Sequence, residues 1–437
     1  METRPIIPLI IDGQDILAPH GERHGRILNN IQKWPTFYQG ATRDLAFQAA
    51  ESSANAYSAW SRTTPIQRRS LLLRLAEVLR TRAEEVKQIC FEEIHCGRLW
   101  ADIITNDSIG LVEEYASLTT SIATGSIPFI QRGYGLVLKE PLGVVLGIAP
   151  WNAPIILGLR AVVAPIAAGN AAILKGSELS PQTHCLLASL FRDAGFPPGV
   201  FNFILHRPED APEIFDVGHI IASQAAMALK PVFLELGGKN FTVVLDDADL
   251  DLAASQIIKG AFLNNGQICM STDMVIATKS IAHPLQSKIL SLLDRFDASP
   301  ERGACIYTSP LATGTSPKSF PPTVVTGLTK QMKLHEIESF GRVFGIFWAE
   351  SEHEIMEIIE QAKYRLSSSI ISKDHYRALG LTRSIRAGAV HINSMTIHDE
   401  PTLPHRGYGE SGWGRFGACW GLEEFVQIKV VTIHPGH

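Results

Sequence analysis

Between residues 143 and 205 the chain alternates apolar strand patterns with helical ones, and this alternation constrains the fold more than any other feature. Gly143–Ile148 is an apolar, β-branched run that suits a buried parallel strand. A helix is predicted from about 154 to 168, then a Gly169-Asn170 turn and a strand over 171–175. A helix over 181–194 closes at Gly195, and Val200–Leu205 gives a third strand. Strand and helix in turn indicate a doubly wound α/β sheet, because parallel neighbours need a crossover that packs back on the sheet. Upstream, 43–60 and 65–94 read as helices. The second opens on Thr64-Pro65, a capping residue followed by proline at the first helical position, and repeats Leu71, Leu72, Leu75, Val78 and Leu79 at helical spacing. Downstream, a helix over Val217–Leu229 leads into a strand over Pro231–Leu236. After Gly237-Gly238 a second α/β domain is expected, with strand Phe241–Leu245, helices 249–263 and 351–363, and strand 389–392. Residues 296–322, rich in Pro, Ser, Thr and Gly, read as loop. A chain of 437 residues is too long for one core and suggests two or three domains.

Composition narrows the function classes. The net charge is −5 and no basic run stands out, so a nucleic-acid partner has no electrostatic footprint. The N-terminal Met1–Ile11 segment, broken by Pro5 and Pro8, lacks the pattern of a secretory signal. No apolar run reaches the roughly 18 residues of a membrane span. The six cysteines are scattered without a C-x-x-C pair, so no metal site and no disulfide framework is signalled. A reduced, cytoplasmic protein is the expectation.

Three short segments carry the chemistry: Pro150–Pro154 (Pro-Trp-Asn-Ala-Pro), Leu234–Lys239 (Leu-Glu-Leu-Gly-Gly-Lys) and Asn264–Ser271 (Asn-Asn-Gly-Gln-Ile-Cys-Met-Ser). They supply an amide, a carboxylate and a thiol. A lone cysteine is usually a small buried hydrophobe, but the neighbours of Cys269 point to a nucleophile. Its thiolate can attack an aldehyde carbon to give a thiohemiacetal, loss of hydride to a nicotinamide leaves a thioester, and water cleaves it. Asn152 is the candidate oxyanion donor together with the backbone N–H of Cys269, a role compatible with an ordinary asparagine turn between strand and helix. Glu235 is the candidate general base for the water. Leu234 and Leu236 flank it, and this partly apolar setting is expected to raise its pKa.

In this order the segments resemble the catalytic signatures of the NAD(P)-dependent aldehyde dehydrogenase superfamily, from about Ile10 to Ile433. The resemblance implies a Rossmann-type cofactor domain over 1–120 and 141–236, an α/β catalytic domain over 237–420, and a small oligomerisation hairpin formed by 121–140 and 421–437. It implies that Lys175 and Glu178, in Leu174–Glu178, bind the adenosine ribose hydroxyls of NAD, with Glu178 repelling a 2′-phosphate. It also implies that Glu338 and Phe340, in Glu-Ser-Phe-Gly-Arg, position the nicotinamide ribose and ring. Trp151 and Gly218 complete the cofactor-binding set. Ser121–Glu140 resembles a protruding hairpin that pairs with strand 425–433 of a neighbouring subunit, implying a homodimer or homotetramer. Thr396–Pro401 and Ser411–Gly417 look most like the salicylaldehyde, benzaldehyde and vanillin dehydrogenase branch, which makes an aromatic aldehyde the expected substrate.

The chain departs from that pattern in places that bear on function. From Leu205 to Pro231, roughly fifteen to twenty residues are lacking, including one strand of the dinucleotide sheet that ends in Phe-Thr-Gly-Ser. Phe215–Gly218 is the remnant, with Asp216 near the phosphates. A second shortfall, of roughly twenty-five to thirty residues, lies between Ser291 and Glu338. Gly176 and Arg342 stand where proline is usual, and Arg365 where a glycine of positive φ is usual. Pro404-His405-Arg406-Gly407 replaces Pro-Phe-Gly-Gly. Loss of a central strand leaves backbone groups unpaired and is expected to weaken folding, NAD binding or both. The alternative expectation is therefore a catalytically impaired relative with lost or weakened NAD binding, and at most residual esterase activity from Cys269, Asn152 and Glu235.

Overall fold

A computed structural model describes residues 6–17, 24–27, 36–206, 217–293, 297–301, 304–308 and 320–435. It divides into two compact units. The first comprises Met1–His219, Glu400–Pro404 and Arg415–His437; the second comprises Ile220–Asp399 and His405–Gly414.

The first unit is built on a five-stranded sheet in the order Gln14–Ile16, Leu9–Ile11, Phe201–Ile204, Ala171–Lys175, Val144–Ile148. The last three are parallel, as the strand–helix alternation requires. The intervening helix Pro154–Ala168 is apolar on every side and almost wholly buried, as such a helix must be. It ends on Gly169 at φ +100°, a left-handed residue whose N–H reaches back to the carbonyl of Ile166. Helix Arg43–Trp60 matches its expectation. The predicted helix over 65–94 begins with the expected capping box of Thr64 and Gln67, but is two helices, Pro65–Thr81 and Ala83–Ile94. Arg82 breaks it at φ −98°, ψ 15°, where its guanidinium meets Asp193 at 2.6 Å, Glu85 at 2.7 Å and Ser189 at 3.0 Å. Helix Arg98–Ile122 drew no expectation from the sequence, yet buries Trp100, Ile104, Leu111 and Tyr115.

Two expectations for this unit are corrected. The Val144–Ile148 strand is an edge strand rather than a buried one. It pairs only with Ala171–Lys175, and no described strand lies on its other side. Val144, Leu146 and Ile148 are accordingly 39, 57 and 42% exposed. The remnant at Phe215 and Asp216 lies outside the described residues. The strand Tyr134–Pro141 pairs antiparallel with Val426–Ile433 of its own chain, in register from Val426 opposite Pro141 to Ile433 opposite Tyr134, and not with a neighbouring subunit's strand. Just ahead of the C-terminal strand the Asn170 amide donates to the Phe425 carbonyl at 2.9 Å.

The second unit has an eight-stranded sheet in the order Asp297–Glu301, Ala304–Thr308, Thr323–Thr326, Val343–Ala349, Thr272–Thr278, Asn240–Val244, Ser367–Ile371, Ala389–Ile392. From Thr323–Thr326 onward all neighbours are parallel. Asn240–Val244, Thr272–Thr278 and Ser367–Ile371 are buried throughout, and apolar clusters around Val275 and Phe344, and around Val243 and Ile276, cover the two faces. Two strands thus lie within the segment read as loop, held by antiparallel pairing to Thr323–Thr326 in spite of their turn-like composition; residues 309–319 lie outside the described ones. The strand expected over Pro231–Leu236 shrinks to Leu234–Glu235 and pairs antiparallel with Gly412–Trp413, not with the first unit's sheet. Pro231 has no N–H for a ladder, and the Val232 carbonyl is taken by the Trp413 indole at 2.9 Å.

Candidate active site

Strands Asn240–Val244, Thr272–Thr278 and Val343–Ala349 are adjacent and parallel in the second unit, so the segments that enter them reach the same edge of the sheet. Those segments carry Glu235, Cys269 and Glu338. The Cys269 thiol donates to Oε1 of Glu235 at 3.7 Å, an arrangement in which the carboxylate can take the thiol proton. Asn240, which the sequence reading passed over, fixes the cysteine loop. Its amide donates to the carbonyls of Cys269 at 2.7 Å and Ser271 at 2.9 Å, and its Oδ1 accepts from the Ser367 N–H at 3.0 Å. Thr396 Oγ1 donates to the Met270 carbonyl at 2.6 Å. The glycine pair after Glu235 is required by close approach. A Cβ on Gly238 would lie 2.2 Å from the Cys269 carbonyl oxygen, and one on Gly237 2.3 Å from Oε2 of Glu338.

Glu338 accepts the Gly238 N–H at 3.0 Å. Burial pushes its carboxyl up to about 7, against the pull of that N–H. Behind it, Lys239 and Asp273 form a buried ion pair at 3.1 Å, and Asp273 accepts the Ser339 N–H at 3.1 Å. Phe340 follows in a left-handed conformation at φ 45°. Arg342 is more than a lost proline: its Nε donates at 2.8 Å to Oδ1 of Asn265, itself left-handed at φ 59°, and so ties the Glu338 segment to the cysteine loop. Arg365 does not sit at a positive φ. It lies in a short strand paired with Tyr408, and its guanidinium donates to the carbonyls of Ala362 and Glu360 at 3.0 and 2.9 Å, closing the Glu352–Glu360 helix.

One neighbour of Glu235 was noted in the sequence only as a departure. Nε2 of His405 lies 2.7 Å from Oε1 of Glu235, and Nδ1 lies 4.0 Å from Asp399. His405 is buried. The ring of His391 lies 5.1 Å from that of His398. Burial first, and then the charges of His398 and His405, push His391 down to about 4, so it stays neutral at working pH.

In the first unit, Asn152 is buried in the bend before helix Pro154–Ala168, and its carbonyl accepts the Trp100 indole N–H at 3.1 Å. Trp151 is half-buried beside it. Lys175 ends its parallel strand, with Glu178 4.0 Å away and both side chains largely buried. Burial lowers the Lys175 pKa, opposed by Glu178. A loosely paired cation and carboxylate at the carboxyl end of a parallel strand fit vicinal ribose hydroxyls, the place where such sheets take a dinucleotide. The turn that holds them rests on His184, whose Nδ1 accepts the Ser177 N–H at 3.2 Å. Burial and then the Lys175 charge push His184 down to about 3. His184 also explains Gly176: a Cβ there would lie 2.8 Å from the Phe203 ring and 2.9 Å from His184. Gly218 is buried in the first turn of helix Val217–Met227. The residues proposed from sequence are therefore shared, with Asn152, Trp151, Lys175, Glu178 and Gly218 in the first unit and Glu235, Cys269, Glu338 and Phe340 in the second. Among the described residues no group of histidine, cysteine and carboxylate side chains could hold a metal, and no helix is long and apolar enough to cross a membrane.

The sequence matches the family described as "Aldehyde dehydrogenase family" over residues 32–315 and 297–431. It is 34% identical to a vanillin dehydrogenase of Pseudomonas fluorescens over 477 residues, covering 98% of each chain. That alignment is longer than the 437-residue chain, so part of it stands opposite gaps in this chain. The structure is similar to that of a salicylaldehyde dehydrogenase from Pseudomonas putida G7 complexed with salicylaldehyde, at 29% identity and TM-score 0.90 over 98% of each chain. It is also similar to an NAD-dependent aldehyde dehydrogenase from Sinorhizobium meliloti, at 26% identity and TM-score 0.89 over 100% of this chain and 96% of that one.

Proposed function

Because the chain belongs to the aldehyde dehydrogenase family and is an enzyme of that family, we propose that it oxidises an aromatic aldehyde to the carboxylic acid with NAD, through acyl chemistry on Cys269. The observation that carries this reading is the Cys269 thiol donating to Glu235 at 3.7 Å, in loops pinned by Asn240 and Thr396. The aromatic preference is supported by the vanillin and salicylaldehyde dehydrogenases among its relatives. NAD would be held at its adenosine ribose by Lys175 and Glu178, with Glu338 and Phe340 on the nicotinamide side, and supplies the hydride acceptor. The Glu178 carboxylate favours NAD over NADP.

Glu235 takes the thiol proton, and the Cys269 thiolate forms a C–S bond to the aldehyde carbon while the carbonyl oxygen gains the negative charge. Asn152 is the amide proposed to stabilise that oxygen. When the carbon has lost its hydride and become a thioester, Glu235, having passed the thiol proton to solvent, takes a proton from water, whose oxygen attacks the acyl carbon. Collapse expels the Cys269 thiolate and releases the acid. Cytoplasmic location is supported by the unbridged cysteines Cys90, Cys96 and Cys185. A homodimer or homotetramer is supported by the exposed apolar side chains Tyr134, Ile428 and Val430 on the terminal ribbon. The test is NADH formation across a panel of benzaldehyde, salicylaldehyde, vanillin and straight-chain aldehydes. The expected result is turnover highest on the aromatic members and absent in Cys269→Ala. Turnover on aliphatic aldehydes alone contradicts the substrate class, and undiminished turnover by Cys269→Ala contradicts the mechanism.

A further inference from the structure

Oxygen Oε1 of Glu235 lies 3.7 Å from the Cys269 sulfur and 2.7 Å from Nε2 of His405. A carboxylate turns readily about its last torsion, so something must decide which oxygen stands beside the sulfur. We propose that His405 is a positioning residue for Glu235: it donates from Nε2 to Oε1, with Asp399 standing behind Nδ1, and so holds the carboxylate with that oxygen towards Cys269. This rests on the reading of Cys269 and Glu235 given above.

The proton placement follows from the partners. An ionised carboxylate only accepts, so Nε2 must carry the hydrogen. Asp399, 4.0 Å from Nδ1, favours a second proton there and supports the imidazolium when Glu235 is ionised. The titratable groups that face His405 include Glu235, Asp399 and His391. His391 is held neutral by its own burial and adds no opposing charge. His405 is buried, which limits competition from water for its hydrogen bond. It stands where the family pattern has phenylalanine, which cannot donate, so this chain holds its base by a device that the pattern lacks. Glu235 and His405 titrate as a pair. A donor and partial cation beside Glu235 favour its ionised form. Removing them shifts the carboxylate's ionisation, and with it the acid limb of thioester hydrolysis, to higher pH.

The experiment uses p-nitrophenyl acetate, which acylates a cysteine without any cofactor, and follows the initial burst and the steady phase against pH. In His405→Phe the burst should persist but be slowed by less than the steady phase, which should fall about tenfold, and the acid limb of the steady phase should move up by about one pH unit. His405→Gln, which retains an N–H donor, should restore the rate towards that of the unaltered protein. Asp399→Asn should move the limb in the same direction by less and gives the test a second route if His405→Phe folds poorly. An acid limb unmoved in both His405→Phe and Asp399→Asn, or His405→Gln as impaired as His405→Phe, overturns the assignment. Absence of a burst in the unaltered protein overturns the parent reading of Cys269 and this assignment with it, and is told apart from the first failure by the burst itself.

Discussion

The two sheets of this enzyme are finished differently. In the second unit, six parallel strands run side by side, the central three are buried along their whole length, and apolar clusters close both faces. In the first unit, only three strands are parallel, and the Val144–Ile148 strand stands at an edge with alternate apolar side chains exposed. The shortening between Leu205 and Pro231 falls beside that edge in the expected topology. The groups proposed for acyl transfer, Cys269 and Glu235, belong to the second unit's sheet, whereas Lys175 and Glu178, proposed to hold the ribose, belong to the first unit's, one strand in from its described edge. The lesson is that the turn carrying Lys175 and Glu178 keeps its shape beside an edge strand, because it is held locally, by His184 and by the close packing around Gly176.

The comparison can be broken or sharpened by substitution. The largest effect belongs to the finished sheet's chemistry. Glu235→Gln should slow thioester hydrolysis by about a hundredfold or more and slow acylation by less, because the Cys269 thiol can still ionise to solvent, and a burst lost as completely as the steady phase would show that Glu235 serves the first step alone. Next, Ile276→Ala, in the buried Thr272–Thr278 strand, should cost about 2–5 kcal/mol in urea unfolding. A cost below about 1 kcal/mol would mean that the second sheet is no better packed than the first.

Glu338 gives a pH-dependent test of the same sheet. Its carboxyl is raised to about 7 from an ordinary 4.5, so its contribution to stability is complete below pH 4.5 and is lost as pH rises through 7. The loss amounts to roughly 2 kcal/mol at most once its partial exposure is allowed for. Glu338→Gln should flatten the fall in stability over that window, measured by unfolding at pH 4.5, 6 and 7.5. Parallel curves for the two proteins would place the shift elsewhere. The smallest effect is at the trimmed edge. Leu146→Ala should change stability by no more than about 0.5 kcal/mol, and a core-like cost would mean that the edge is covered in solution.

Much of this was legible in the sequence where local rules and packing agree. Thr64-Pro65 marked a helix start, and Ala171–Lys175 and Ala389–Ile392 match the predicted strands. What could not be read depends on partners distant in the chain. Ser367–Ser369 has a turn-like composition, yet forms a buried strand because its hydroxyls donate to the carbonyls of Thr396, Ala389 and Ser394. Gly143–Ile148 has the composition of a buried strand, but no described strand lies on its other side. Asn240 and His405 act through contacts 29 and 170 residues away. The departure at His405 was the one signal that could have flagged it, and only geometry gives it a partner.

The central claim is a covalent acyl group on Cys269. The direct measurement is mass spectrometry of Glu235→Gln, mixed with NAD and vanillin and quenched in acid before the slowed hydrolysis completes. A peptide carrying Cys269 with the mass of the vanilloyl group added is the predicted result. Vanillic acid formed in the same mixture at full rate, with Cys269 unmodified at every time point, would contradict the account.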